Sequence, residues 1–161
     1  MHRRNRPSQP SPPPAASRQP LDDAAARRHE LSAQWLSSAE VNAGLGLRTG
    51  GQDAGAAGMR RRAQLLGVFV PQPSPRYLYP TWQFRPDGRP VEYLAEILRV
   101  LRDHGPFERE PAGLRRTTGW GEVEWFLCPH ALLDGLSPAS ALVVDPALVL
   151  RAALTEFADD A

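Results

Sequence analysis

Prolines at the ends of apolar segments set the strongest limit on what this chain can fold into. The sequence has 17 prolines, and a proline is tolerated in the first turn of a helix but breaks a helix interior. Ser137 before Pro138, and Asp145 before Pro146, are pairs favoured at the N-cap and first position of a helix. Pro129 ends another apolar segment. The second half of the chain is therefore predicted to be a bundle of about four short helices.

Two of these helices are marked by periodicity or by a cap. The segment PVEYLAEILRVL starts at Pro90 and has four aliphatic residues at the i, i+3, i+4 and i+7 spacing of one helix face. The segment TTGWGEVEWFLCP is predicted to be a shorter helix that Thr118 caps. These helices supply one apolar face each, which is what a small bundle needs to form a core.

The first half of the chain has the order helix, turn, helix and hairpin over roughly residues 37–80. Ser37, with Glu40 three residues later, forms a capping box in which each side chain binds a backbone N–H of the other residue. A second helix is predicted over QDAGAAGMRRRAQLLG, although each glycine weakens it by about 1 kcal/mol relative to alanine. The segments LLGVFV and RYLYP, with turn formers between them, predict a two-stranded hairpin. This order is that of a winged helix-turn-helix.

The second helix of such a unit can enter the DNA major groove, and here it has three consecutive arginines. Arginine reads guanine edges or binds phosphate, and the hairpin can contact the neighbouring backbone. The other interpretation is a small α/β subdomain whose arginines are only solvated. The candidate DNA contacts are Arg48, Gln52, Arg60, Arg61, Arg62 and Arg76.

The stretch YLYPTWQF, residues 77–84, is the densest aromatic run in the chain. Alternate side chains of a strand point to opposite faces, so we expect one covered and one partly open face before Pro80 ends the strand. Aromatic rings bury large areas with few rotamers, which suits a joint between two small units. A ligand-stacking platform is the alternative. The residues assigned to this joint, called the seam below, are Tyr77, Tyr79, Trp82 and Phe84.

Composition limits the remaining possibilities. The formal net charge is +1, which gives the whole chain no preference for polyanions. Residues 1–26 are rich in proline, serine, glutamine and arginine and are predicted to be a disordered tail, with a nucleic-acid-binding arm as the alternative. A single cysteine, Cys128, suits a reducing cytoplasm. The sequence has neither an apolar run of roughly 18 residues, as a membrane span needs, nor a secretory signal.

No constellation of residues predicts an enzyme. Cys128 and His130 lie two residues apart, but a second pair of metal ligands is missing, and a Cys–His nucleophile needs a third orienting group. Glu122, Glu124 and Asp134 are interpreted as a solvated helix face and a turn. We therefore expect no catalytic residue, no metal and no cofactor.

Four segments together resemble the Xre/MbcA/ParS-type antitoxins, most closely those with a winged, excisionase-like front end. They are WLSSAEVNAGLGL, RRRAQLLGVFV, YLYPTWQF with the following DGRPVEYLAEILRVL, and WFLCPHALLDGLSPASALVVDPALVLRAA. The likeness covers about Trp35 to Phe157, and YPTWQF and LDGLSP are its most specific pieces. We expect a mainly α protein with a small β-hairpin. Its predicted parts are a tail at 1–26, a winged helix-turn-helix-like DNA-binding unit at 27–86 and a helical toxin-binding domain at 87–161.

The resemblance implies a cytoplasmic antitoxin of a type II toxin–antitoxin system. In that family the helical domain binds a cognate toxin, usually one with a RES domain that degrades NAD. The front end binds the operon's own promoter, and the protein is usually a homodimer. Carried onto this chain, the toxin-facing residues are Trp120, Trp125, Asp134, Ser137, Phe157, Asp159 and Asp160, the last two as an acidic end that enters the toxin's cleft.

A second function fits the same elements. The chain departs from the family in its proline-rich tail and in the turn RTGGQDAGAAG, which is unusually rich in glycine for the start of a recognition helix. The alternative is a stand-alone DNA-binding transcriptional regulator whose C-terminal bundle mediates dimerisation.

Overall fold

The computed structural model describes residues 19–46, 55–109 and 117–158. Within these ranges the chain forms seven α-helices and three short strands, so the predicted class, mainly α with a small β-hairpin, is confirmed. Two compact units result, Met1–Ala33 and Gln34–Ala161. The elements are α1 (Gln19–Ser32), β1 (Leu36–Ser37), α2 (Ser38–Gly44), α3 (Ala56–Arg61), β2 (Val68–Val70), β3 (Arg76–Tyr79), α4 (Leu94–His104), α5 (Trp120–Leu127), α6 (Pro138–Val144) and α7 (Pro146–Phe157), with 3-10 turns at Thr81–Gln83 and Ala131–Leu133.

The first unit is described through one helix, α1. It begins at Gln19, whereas the sequence indicates order only from about Arg27. Three consecutive alanines and an acidic residue in the first turn, Asp22, favour a helix here. The helix ends at Ser32, whose hydroxyl donates to the Arg28 carbonyl at 2.7 Å. The rest of the predicted tail lies outside the described residues.

The second unit starts with β1, α2, α3, β2 and β3, which is the predicted order of helix, turn, helix and hairpin. The sheet order is β1-β3-β2, and both pairings are antiparallel. The predicted hairpin is confirmed, with Val68 opposite Leu78 and Val70 opposite Arg76. The strand β1 was not predicted, because two residues carry no periodicity of their own and become a strand only by pairing with β3.

The N-terminus of helix α2 is capped by residues that are close to each other in the sequence. The Ser37 hydroxyl accepts from the Glu40 N–H, and the Glu40 carboxylate accepts from the Ser37 N–H, both at 3.2 Å. This is the predicted capping box. The helix buries Val41 against the core.

Helix α3 depends instead on distant residues. It has only six residues, contains Gly58, and begins after Gly55, which has no side chain to cap it. The Ala56 N–H donates to Asn42 Oδ1 of α2 at 2.8 Å. At the other end, the Arg102 guanidinium of α4 donates to the carbonyls of the last two helical residues at 3.0 and 2.8 Å. Both ends of a helix with weak propensity are therefore satisfied by other helices.

The helices marked by proline form where the sequence predicts. The Ser137 hydroxyl accepts from the Ser140 N–H at the start of α6. The Asp145 carboxylate does the same for the Leu148 N–H at the start of α7. In each helix the proline occupies the first turn, where a missing N–H costs nothing.

Helices α4 and α5 begin later than predicted, at Leu94 rather than near Pro90 and at Trp120 rather than after a Thr118 cap. The reason is the backbone conformation of the residue before each helix. Tyr93 and Gly119, which precede the two helices, have φ of 64° and 86°. A left-handed residue does not continue into a right-handed helix, so each helix starts after it.

One hydrophobic core runs through the second unit. It joins the front elements to the helices, and Gly119, just before α5, lies against Gly67, just before β2. A Cβ on Gly119 would clash with the Gly67 carbonyl oxygen, so only glycine lets α5 begin at this position. Residues 34–161 form one compact unit, and the proposed domain boundary at residue 86 stays a prediction.

The aromatic run lies in this core. Tyr79 is buried, and its hydroxyl accepts from the Ser38 hydroxyl at 3.4 Å. The Trp82 and Phe126 rings lie 4.6 Å apart, which connects the run to α5. Leu78 and Tyr79 are both buried, so both faces of β3 are covered here, whereas one partly open face was expected.

Gln83, the buried amide of this run, was not singled out from the sequence. It is fully buried, and its Oε1 accepts from the Leu66 N–H at 2.8 Å. Its Nε2 donates to the carbonyls of Leu66 and Pro80 at 2.8 and 3.0 Å. The side chain thus ties the segment before β2 to the turn after β3. Phe84, the last seam residue, packs half-buried against the core.

Candidate interaction surfaces

An exposed group of large aliphatic side chains lies on the C-terminal helices. Val143 and Val144 are each 78% exposed, which is unusual for two consecutive β-branched residues. Contiguous exposed apolar patches larger than a few hundred Å² mark interaction sites in soluble proteins. The side chains of this group, called the aliphatic surface below, are Leu127, Leu132, Leu136, Val143 and Val144.

The local fold explains why these side chains point outward. Helix α6 buries Ala141 and Leu142, so residues at 143 and 144 lie on its other face. The preceding loop is closed by two hydrogen bonds, from the His130 N–H to the Leu136 carbonyl at 3.0 Å and from the Gly135 N–H to the His130 carbonyl at 3.1 Å. Loop and helix therefore both carry exposed aliphatic side chains within residues 127–144.

A polar cluster pins this loop to α7. Glu156 Oε2 accepts from Trp125 Nε1 and pairs with His130 Nε2, both at 2.7 Å. His130 Nδ1 accepts from the Leu132 N–H at 3.2 Å. Since Nδ1 is an acceptor, the network assigns the ring proton to Nε2, which donates to Glu156. The Phe157 ring lies 6.1 Å from that of Trp125.

The predicted toxin-facing residues are only partly brought together. Trp125 and Phe157 contact each other in the polar cluster. Asp134, exposed and left-handed at φ 55°, and Ser137, the N-cap of α6, lie in the loop between Leu132 and the helix. Asp159 and Asp160 lie outside the described residues.

Trp120, also assigned to the toxin face, lies beside the sheet. Its ring stacks on Trp35 with 6.1 Å between centroids. Its Nε1 donates to the Phe69 carbonyl at 3.0 Å. Phe69 belongs to β2, an edge strand of the sheet, so the indole binds the backbone at the sheet edge. Trp35 follows α1 and belongs to this stack.

The three consecutive arginines occupy different environments. Arg60 is half-buried, with its guanidinium carbon 3.5 Å from the centroid of the Tyr77 ring. Its aliphatic part fills the space beside Gly67, where a Cβ would lie 2.6 Å from Arg60 Cδ. Arg61 is half-buried, whereas Arg62 is exposed and donates from Nε to Gln64 Oε1 at 3.4 Å.

Arg76, the candidate contact on the hairpin, begins β3 and is half-buried. Its Nη1 donates to the carbonyls of Gln72 and Ser74 at 2.9 and 3.2 Å, so the guanidinium braces the hairpin loop. The remaining candidates, Arg48 and Gln52, lie outside the described residues.

Charge is distributed unevenly along the sequence. Residues 27–86 contain eight arginines and three acidic residues, whereas residues 87–161 contain seven arginines and thirteen acidic residues. No basic residue other than His130 lies between Leu127 and Leu150. The segment with the aliphatic surface therefore lies in an acidic region. The elements β1, α2, α3, β2 and β3, called the winged elements below after the order predicted from the sequence, lie in a basic one.

The prediction that Glu122 lies on a solvated helix face is wrong, although Glu124 and Asp134 are exposed as expected. Glu122 is 4% exposed. Burial raises its pKa above the ordinary value of 4.5, and the hydrogen bond from Thr117 and the charge of Arg102 oppose that rise. The Thr117 hydroxyl donates to Glu122 Oε2.

Sequence and structure match no protein-family model, no curated protein and no solved structure. The resemblance to the antitoxin family therefore stays a prediction. Within residues 19–46, 55–109 and 117–158, no group of three or more His, Cys, Asp or Glu side chains could hold a metal ion. No single helix among them is long and apolar enough to span a membrane, and the bent pair Trp120–Leu127 and Ala131–Val144 meets that test by length and composition only.

Proposed function

We propose that this chain is the antitoxin of a type II toxin–antitoxin system. It binds and neutralises a cognate toxin through its C-terminal helices and represses its own promoter through the winged elements. The observation that carries this proposal is the aliphatic surface, which is exposed and fixed in place by capped helices and a closed loop. A rigid apolar surface lowers the entropy cost of binding a protein partner.

The chemistry of the partner follows from the surroundings of this surface. Its own segment has acidic residues and no arginine, so a partner with an apolar contact area and a basic rim is complementary to it. A toxin that binds NAD needs cationic groups for the pyrophosphate, which fits such a rim. The RES-type identity of the toxin is supported by the sequence resemblance alone.

The DNA-binding role is supported by the order and pairing of β1, α2, α3, β2 and β3 and by the basic composition of residues 27–86. Exposed Arg62 follows the last residue of α3, and Arg76 lies at the start of the hairpin's second strand. Arg61 lies between the inward Arg60 and the exposed Arg62. These three arginines are the positions from which phosphate or base contacts are proposed.

Co-expression with the toxin gene of the same operon tests the main proposal. Wild-type chain should relieve the growth arrest that the toxin causes. The double substitution Val143→Asp with Val144→Asp should abolish relief, because it places two negative charges in the apolar contact.

The matched control for that double variant is Leu21→Asp, an equally exposed aliphatic residue (74%) in the other unit. It should relieve growth arrest like the wild type, and circular dichroism should show that all variants fold. Persistent arrest with the wild type, or relief by the double variant, would refute the proposed neutralisation surface.

The alternative, a stand-alone transcriptional regulator, uses the same surface for homodimerisation. Sedimentation equilibrium of the chain alone distinguishes the two. A dimer that the Val143→Asp and Val144→Asp substitutions dissociate, with no toxin bound by the wild type in a pull-down, would favour the regulator.

A further inference from the structure

A small cavity lies between the winged elements and the helices that follow them. Its volume is about 20 Å³. It lies within the second unit, and α3, the segment between α3 and β2, α4 and α5 contribute to its wall. The charged side chains that line it are Arg60, Arg102 and Glu122, with Thr117 beside them.

Two buried polar atoms of this wall lack hydrogen-bond partners among the described residues. They are Glu122 Oε1, an acceptor, and Arg60 Nε, a donor. The other groups nearby are engaged: the Arg102 guanidinium holds the α3 carbonyls, and Glu122 Oε2 accepts from Thr117. Leaving a buried polar atom unpaired costs about 1–3 kcal/mol, and more for a charged group.

We infer that this cavity is a binding site for one internal water molecule, which accepts from Arg60 Nε and donates to Glu122 Oε1. A cavity needs a volume of roughly 10–15 Å³ to hold a water, and the water needs two to four polar partners. The volume of this cavity exceeds that minimum, and Arg60 and Glu122 of its wall carry the two unpaired atoms. This inference does not rest on the proposed antitoxin function.

Size and charge exclude the other occupants. A phosphate or sulfate ion is several times larger than a water and would also meet the carboxylate of Glu122. A metal cation would meet the guanidinium groups of Arg60 and Arg102. Water is neutral and both donates and accepts, so it is the one small molecule that satisfies both unpaired atoms at once.

The water has a structural consequence. Arg60 belongs to α3 and stacks on Tyr77 of the hairpin, whereas Glu122 belongs to α5. A water between them connects the second helix of the winged elements to the C-terminal helices, next to the direct bonds from Arg102. It completes a polar joint inside an otherwise apolar core.

A crystal structure of the wild-type chain, at a resolution that shows ordered waters, tests the inference. We expect one water at roughly 2.7–3.2 Å from both Glu122 Oε1 and Arg60 Nε. A direct hydrogen bond between the two side chains, an empty cavity, or a water that contacts only one of the two atoms would overturn it.

Magnetic relaxation dispersion of water nuclei, which counts long-lived internal waters, supplies a second readout. Glu122→Leu removes the acceptor and should lose one such water, whereas Glu124→Leu, an exposed position on the same helix, should retain it. Glu122→Gln keeps a polar group that can donate to the water and should retain it too. Equal counts in the wild type and Glu122→Leu contradict the inference, and if Glu122→Leu does not fold, the wild-type crystal structure decides.

Discussion

The winged elements partly bury charged side chains, whereas the C-terminal helices expose apolar ones, and both placements are the reverse of what residue type suggests. In the first region Arg60 stacks on a tyrosine ring, and Arg102 reaches in from α4 to hold the end of α3. In the second region Val143 and Val144 are exposed to solvent. Arginine side chains thus connect elements inside the first region, whereas the second region leaves aliphatic side chains exposed on its surface.

Neither a run of arginines nor a pair of valines in the sequence shows by itself whether the side chains are structural or face a partner. Long arginine side chains cover apolar surface with their methylene groups while the head finds a ring or a carbonyl. A short helix with one buried face must expose whatever its other face holds. A basic segment can thus be partly structural, and an apolar segment can be the interaction surface.

The variant with the largest expected effect tests whether the two regions unfold as one cooperative unit. Trp82→Ala removes the ring that packs on Phe126, and such truncations cost about 2–4 kcal/mol at a half-buried site. The urea midpoint should fall, and DNA and partner binding should weaken together because the whole unit 34–161 loosens. Trp82→Phe should lose much less. A variant with unchanged midpoint but only one activity lost would separate the regions and contradict this view.

The next prediction tests how much the hydrogen bonds from Arg102 of α4 to the end of α3 contribute to stability. Arg102→Ala removes two hydrogen bonds from a guanidinium to the Arg60 and Arg61 carbonyls and should cost about 1–3 kcal/mol. Arg99→Ala, an exposed arginine on the same helix, should change stability by no more than about 0.5 kcal/mol. Urea unfolding measures both. Equal losses would mean that α3 does not depend on this contact.

A smaller effect separates structural from DNA-facing arginines. Arg60→Ala should destabilise the chain by about 1–2 kcal/mol, because it removes a ring contact and packed methylenes. Arg62→Ala should leave stability unchanged. It should weaken promoter binding across sequences and lower the salt slope of the binding constant by about 1. Fluorescence anisotropy over a salt series measures this, and an unchanged slope would remove Arg62 from the proposed contacts.

The smallest expected effect is a pH dependence from the buried carboxyl. Burial raises the pKa of Glu122 above 4.5, so the folded chain keeps this proton to higher pH than the unfolded chain does. The free energy of unfolding of the wild type should therefore fall, relative to Glu122→Gln, as the pH rises from 4.5 through the folded pKa, and then level off. Urea unfolding over a pH series measures the difference, and a difference that rises with pH would mean that the pKa is lowered.

Short-range chemistry could be predicted from the sequence. The capping box of Ser37 and Glu40 and the serine–proline and aspartate–proline helix starts all formed as predicted, as did the hairpin. Each involves partners three or four residues apart, or strands separated by a short turn, so the sequence holds both members of the interaction in one window. Leu127, Leu132 and Leu136 of the aliphatic surface lie between the predicted toxin-facing residues Trp120 and Ser137, whereas Val143 and Val144 lie beyond them. None of the five was named from the sequence, because exposure has no sequence signal on a seven-residue helix.

What only the tertiary structure decided involves partners far apart in the sequence. Asn42 caps α3 from 14 residues away, and Arg102 holds it from 41 and 42 residues away. The same holds for Glu122, whose burial depends on neighbours from α3 and α4, and for β1, which exists only by pairing with β3. The sequence by itself determined where the capped helices and the hairpin form, since those interactions are local. Which polar side chains lie inside, and which apolar ones stay outside, depends on long-range packing that no single stretch of sequence contains.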